Sequence, residues 1–197
     1  MTNDQNNARR KSIRLPEFDY SSPGAYFLTM CTIHREMVFA QFPELEDVVR
    51  TQWHEIPNRF PHVELDAFVI MPNHIHGIVF LRENPVGATL AVAQESYSLH
   101  NGAKTAASAA PTIGSIVGAF KSLCVYHWLK HVKANGIPAA GAFWQKNYYE
   151  HVIRTEEELN RCREYVINNP QTWQLDRENA FATGTDSFEL SIYGRST

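Results

Sequence analysis

The sequence contains no run of about 18 apolar residues, so no membrane-spanning helix is expected. Its first 14 residues (MTNDQNNARRKSIR) are polar and basic without an apolar stretch, and do not read as a secretory signal. Cysteine is scarce. Cys31, Cys124 and Cys162 form no CxxC pair and no even disulfide set, which fits a reducing cytoplasm. An excess of one charge is lacking too, since 18 Lys+Arg stand against 21 Asp+Glu for a net charge of −3. That excludes a surface coated in basic charge for indiscriminate binding of nucleic acid. What is present is 197 residues, 44% hydrophobic and 20% charged, enough for one domain with a packed core and outside the range of a disordered chain.

Charge is unevenly spread. Residues 1–14 carry Arg9, Arg10, Lys11 and Arg14 against Asp4, a local +3. Residues 36–66 carry seven acids against Arg50 and Arg59, a local −5. Residues 113–154 carry Lys121, Lys130, Lys133, Lys146 and Arg154 against Glu150, a local +4. The small total is therefore an average over two basic stretches and one acidic one. It is compatible with selective binding of a structured nucleic acid.

Residues 25–33 (AYFLTMCTI) follow a Ser-Pro-Gly turn and read as a strand. Residues 43–57 open with Pro43 and acids, then place Leu45, Val48, Val49 and Trp53 at helical spacing. Residues 63–70 and 74–81 read as two strands joined by the turn Met71-Pro72-Asn73. Residues 83–112 are rich in Ala, Gly and Ser and read as an insertion. A helix resumes at Ile113, residues 142–153 look like a fourth strand, and Thr155 with Glu158 makes a capping box for a last helix over 156–168 that Pro170 stops. The tail from residue 171 is mildly acidic without a strong pattern. Expected boundaries are a basic arm over 1–22, one domain over 23–173 and a tail over 174–197. The order βαββαβα points to an α+β sandwich of the ferredoxin type: an antiparallel sheet of four to five strands with helices on one face.

His74 and His76 lie two apart on a predicted strand, so both imidazoles share a face and can serve one metal ion or one phosphate. An H-x-H pair alone is more often two polar residues at a strand start. Here a tight turn precedes the pair and the apolar run IVFL follows it, where two buried imidazoles are costly unless something uses them. A histidine-triad hydrolase needs a third His at position 78, which is Ile. A two-histidine phosphoesterase needs His-x-Thr twice, which is absent. Tyr165 and Asn169, four apart, share a face of the last helix, although a helical Tyr is usually core and Asn-Pro a normal helix stop. Spacing alone does not bring that helix to the histidines.

The segments VIMPNHIHGIVF at 69–80, IGSIVGAFKS at 113–122 and FWQKNYYEHVIRTEEELNRCREYVINNPQTW at 143–173 resemble the REP-associated tyrosine transposases, single-tyrosine members of the HUH endonuclease group. The likeness runs from about Pro23 to Trp173, leaving out the insertion. It implies an HUH nuclease fold in which His74, His76 and Asn169 bind Mg²⁺ or Mn²⁺. Tyr165 would then attack a single-stranded DNA phosphodiester to leave a 5′-phosphotyrosine and a free 3′-OH. Tyr148 and Tyr149 are the competing tyrosines, read as strand residues with one facing core and one solvent.

The implied substrate is hairpin DNA from palindromic repeats with a single-stranded flank, met by a monomer or homodimer associated with the nucleoid. Lys121, Lys130, Lys133 and Arg154 are candidate phosphate contacts, as is the run Arg9, Arg10, Lys11. Two alternatives remain open. One is a domesticated hairpin-binding protein without useful catalysis, the other an initiator of the same group, which the absence of a helicase region disfavours.

Overall fold

A computed structural model describes residues 19–83 and 111–193. The Arg9-Arg10-Lys11 run and nearly all of the expected insertion lie outside the described residues. Strand β1 (Gly24–Cys31) leads through the single turn α1 (Val38–Gln41), α2 (Pro43–His54) and the single turn α3 (Ile56–Arg59) to the hairpin β2 (Val63–Met71) and β3 (His74–Leu81). Then come α4 (Ile113–Asn135), β4 (Tyr149–Ile153), α5 (Glu156–Asn168), a 3₁₀ stretch (Asn169–Leu175) and α6 (Ser187–Tyr193). None of the described helices is long and apolar enough to cross a membrane.

The four strands lie in the order β2-β3-β1-β4, every neighbouring pair antiparallel. β1 and β3 are central and apolar on both faces, so the sheet needs cover on each side. Alternation sorts their side chains. Tyr26, Leu28, Met30, Ile75 and Val79 pack with α2 and α4 on one side. Ala25, Phe27 and Ile78 pack with Leu159, Cys162, Tyr165 and Val166 of α5 on the other. The α+β ferredoxin-type reading holds, but the helices do not all share one face. α5 is alone among the long helices in covering the side that carries the even-numbered residues of β3.

Local chemistry explains the ends of α5 and α4. Thr155 Oγ1 accepts the Glu158 N–H at 3.1 Å, the first half of the expected capping box, while Glu158 Oε2 reaches one residue past the cap to accept the Arg154 N–H at 2.8 Å. α4 begins where Thr112 Oγ1 accepts the Ser115 N–H at 3.2 Å. Two expectations shift. Only Tyr149–Ile153 of the 142–153 segment pairs as a strand, because the stretch before it turns away to bridge Trp144 with Thr32. The second shift is smaller: α5 ends at Asn168 as expected, but Pro170 then sits at the start of a 3₁₀ stretch, where its missing N–H costs nothing.

Gly77 lies between the histidine-bearing end of β3 and its apolar end. A Cβ there would meet Trp53 ring carbons at 2.4 and 2.5 Å. Trp53 cannot retreat, being stacked on Phe68 at 4.6 Å and edge-on to Phe120 at 5.7 Å. Gly77→Ala is expected to cost about 1–3 kcal/mol, the range for overpacking a filled core. Urea denaturation of the two proteins checks this, and equal midpoints would show that Trp53 has room to move.

Candidate active site

β3 sets His74 and His76 on the α5 side of the sheet, at 0% and 1% exposure. Their rings meet edge to face with centroids 4.4 Å apart, and their Nε2 atoms converge to 2.9 Å. The hydrogen-bond network fixes one tautomer. Asn73 Nδ2 donates to the Glu178 carbonyl at 2.8 Å and the Arg35 carbonyl at 3.2 Å, so its Oδ1 must be the atom facing His74 Nδ1 at 2.8 Å. His74 Nδ1 therefore carries the hydrogen, and in the neutral ring Nε2 presents a lone pair to His76. That contact needs either a proton on His76 Nε2 or a cation shared by both rings.

His76 is held from behind by β1. Thr29, its partner across the strands, places Oγ1 2.9 Å from His76 Nδ1, and Phe27 stacks on the imidazole at 5.2 Å. Burial, with the neighbouring His74 adding to it, pushes the His76 pKa down to about 4. His76 is thus neutral at neutral pH, the state in which an imidazole ligates a metal.

The sequence reading missed the third member of the cluster. The chain after α5 turns back over the histidines and places Asp176 Oδ2 at 3.4 Å from His74 Nε2 and 3.8 Å from His76 Nε2. The three residues form the one His/Cys/Asp/Glu group among the described residues whose ligand atoms could hold an ion together. Burial works against the Asp176 charge. The two histidines beside its carboxylate outweigh that and hold its pKa well below the usual range. Asn169, the expected third ligand, donates from Nδ2 to Asp176 Oδ2 at 2.9 Å. Its Oδ1 then has no hydrogen-bond partner although buried. A buried acceptor left empty is costly, and a cation beside it would satisfy it. Two imidazole nitrogens, a carboxylate and an orphaned amide oxygen are a donor set that fits a divalent ion.

Tyr165 comes from the same chain. Its Oη lies 3.3 Å from His76 Nε2 and donates to Glu189 Oε1 of α6 at 2.6 Å. Both Glu189 oxygens also accept the Arg177 N–H, at 3.2 and 3.1 Å. Burial raises the Glu189 pKa, against the hydrogen bonds that lower it. The Tyr165 ring packs edge-on to Phe27 and against Phe188, with centroids 6.0 and 5.0 Å away. Arg163, two residues earlier, ties α5 to β2 through Asp66 at 2.7 Å.

Around this centre a further layer holds the histidine loop. His34 and Arg35 adopt φ of 53° and 56°, a left-handed conformation uncommon without glycine. It points Arg35 Nε at Glu178 Oε2, 2.6 Å away, and turns the Arg35 carbonyl to Asn73. The strained turn and the tail together orient the residue that fixes His74.

The remaining sequence candidates are placed as follows. Lys130, Lys133 and Arg154 are exposed. Lys121, by contrast, donates to the carbonyls of Gln145 and Asn147 at 2.9 and 3.0 Å and lies over the Trp144 and Tyr148 rings. Its ammonium clamps the segment before β4 rather than standing free for a phosphate. Tyr148 and Tyr149 are both half-buried, packed on opposite sides of the sheet, so neither faces open solvent as expected. Burial pushes the Tyr149 pKa up to about 12.

No family model matches the chain. A Haemophilus influenzae protein described as uncharacterised is 37% identical over 176 residues, spanning 85% of this chain and 92% of that one. Among solved structures, a REP-associated tyrosine transposase bound to a REP hairpin superposes with a TM-score of 0.50 at 19% identity, covering 80% of this chain and 73% of the other. A Deinococcus radiodurans protein described as a transposase candidate gives 0.45 at 17% identity, covering 79% and 95%.

Proposed function

Belonging to the same family as the Haemophilus influenzae protein, and sharing the fold of a REP-associated tyrosine transposase, the chain is, we propose, a metal-dependent endonuclease and strand transferase for single-stranded DNA. The substrate is a hairpin with a single-stranded flank, and the intermediate is a 5′-phosphotyrosine on Tyr165. The observation that carries this reading is the convergence of Tyr165 Oη on the buried histidine pair, 3.3 Å from His76 Nε2. A phenol packed there for its ring alone has no need of its oxygen at that point.

His74, His76 and Asp176 would hold Mn²⁺ or Mg²⁺, with Asn169 orienting the carboxylate and offering Oδ1. Two imidazoles in the donor set favour Mn²⁺ over Mg²⁺, which prefers all-oxygen surroundings. When bound, the ion neutralises charge on the scissile phosphate. The chain supplies the rest. Tyr165 is the nucleophile. Phe27 and Phe188 fix its ring, the Asp66–Arg163 pair fixes its helix, and burial keeps water from competing with the phenol. Capturing the strand as a phosphotyrosine preserves the phosphodiester energy, so a second 3′-OH can reverse the step. Lys130, Lys133 and Arg154 are proposed phosphate contacts, and the functional domain is proposed to run past residue 173 to include Asp176 and Glu189.

One observation favours the second reading, a hairpin-binding protein without useful catalysis: Tyr165 is only 6% exposed. Incubation of the protein with an end-labelled hairpin carrying single-stranded flanks, plus Mn²⁺, followed by denaturing electrophoresis, separates the two. A protein-linked strand is expected. Tight binding of every hairpin with no cleavage would leave the binding protein as the better account.

Asn73 offers a test of the histidine geometry. Asn73→Ala frees the His74 ring to rotate and change tautomer, and is expected to weaken Mn²⁺ binding about 10–100-fold, as loss of a supporting hydrogen bond commonly does. Titration calorimetry with Mn²⁺ reads this directly. An unchanged affinity would mean the Asn73–His74 contact does not prepare the ligand.

A further inference from the structure

We infer that Glu189 of α6 is a catalytic residue: the carboxylate that takes the proton of Tyr165 when the phenol attacks the DNA phosphodiester. The assignment rests on the transferase reading above. Its ground is geometric. The Tyr165 hydroxyl has one short hydrogen bond, 2.6 Å to Glu189 Oε1, and a longer contact of 3.3 Å to His76 Nε2. A phenol with one proton donates it along the shorter contact, to the carboxylate. The carboxylate does not wander, because both of its oxygens accept the Arg177 N–H. Glu189 is itself buried at 1% exposure, whereas most of the stretch around it, residues 181–191, is exposed. A buried carboxylate in the first turn of a seven-residue helix is expensive to hold there for packing alone.

The step balances. The Tyr165 Oη–H bond breaks and its proton moves to Glu189, while the Oη–P bond forms. The bond from phosphorus to the 3′-oxygen breaks, its electron pair stays on that oxygen, and the oxygen takes a proton from water. In strand transfer the sequence reverses, with Glu189 returning the proton to the departing phenolate. If the Nε2 of His76 belongs to the metal, His76 is excluded as the proton acceptor, and Glu189 holds the short contact to the phenol.

Glu189→Gln is the informative change. Glutamine can still accept the Tyr165 and Arg177 hydrogen bonds, so it keeps the tyrosine in place, but its amide does not take up a proton. Using the full chain with Mn²⁺ and a labelled flanked hairpin, Glu189→Gln is expected to bind the hairpin as the wild type does. It should form adduct about a hundredfold more slowly in a single turnover, the usual contribution of a positioned base. Formate added to Glu189→Ala, where it can enter the vacated space, should restore part of the rate. A rate equal to or above wild type in Glu189→Gln overturns the assignment and makes the contact a restraint on Tyr165. Loss in both variants without formate rescue overturns it in favour of a packing role. Absence of adduct with the wild-type protein overturns the transferase reading itself, and this assignment with it.

Discussion

Tyr165→Phe is expected to abolish the covalent protein–DNA adduct and to lower cleavage by about a thousandfold or more, the scale on which loss of a nucleophile acts. The substitution removes one oxygen and little else. The ring keeps its contacts with Phe27, His76 and Phe188. Glu189 loses one donor but retains the Arg177 N–H, so α6 stays docked. Folding and hairpin binding should therefore survive, which isolates chemistry from structure. The same change at Tyr149 should leave adduct formation intact. Its hydroxyl belongs to an edge-strand residue whose pKa is pushed up to about 12, a weaker nucleophile at neutral pH than an ordinary phenol. Denaturing electrophoresis of the three proteins side by side reads the contrast. Adduct in Tyr165→Phe but not in Tyr149→Phe would transfer the nucleophile to β4.

His76→Ala has the second large effect. It removes a proposed metal ligand and the residue that Tyr165 Oη approaches, and opens a cavity beside Phe27 and Thr29. Metal affinity should fall more than the 10–100-fold expected of Asn73→Ala, because a direct ligand is lost rather than its support. Binding to the folded state alone stabilises it by about 2.7 kcal/mol at a hundredfold excess over Kd. Wild-type protein should accordingly melt higher with Mn²⁺, and His76→Ala should show no such rise. Thermal melts with and without Mn²⁺ therefore test the ligand role without any DNA. A rise of equal size in the mutant would place the ion elsewhere.

The parts of the site that were legible in the sequence were those written in a period. Two-residue spacing put His74 and His76 on one face, four-residue spacing put Tyr165 and Asn169 on one face, and the Thr155–Glu158 box marked where α5 begins. What the spacing could not supply was which side of the sheet α5 covers. Strands apolar on both faces leave that choice to the packing of the whole domain, and the same ambiguity produced the expectation that all helices share a side. Asp176, Glu178 and Glu189 were invisible for a different reason. They follow the last periodic element, in a tail whose acids look like ordinary solvated charge. Only the return of the 3₁₀ stretch over the histidines turns them into partners of His74, Arg35 and Tyr165. Lys121 shows the converse: charge alone suggested a phosphate contact, whereas its neighbours are two carbonyls that no helix wheel reveals.

The central claim is that a single tyrosine, brought to a two-histidine metal centre by its own chain, becomes joined to DNA. Its most direct test is peptide mass spectrometry of the wild-type protein after reaction with the flanked hairpin and Mn²⁺, with nuclease trimming of the bound strand. A nucleotide phosphate on the α5 peptide at Tyr165 is the predicted result. Modification of the β4 peptide at Tyr149, or cleaved DNA with no modified peptide at all, would contradict it.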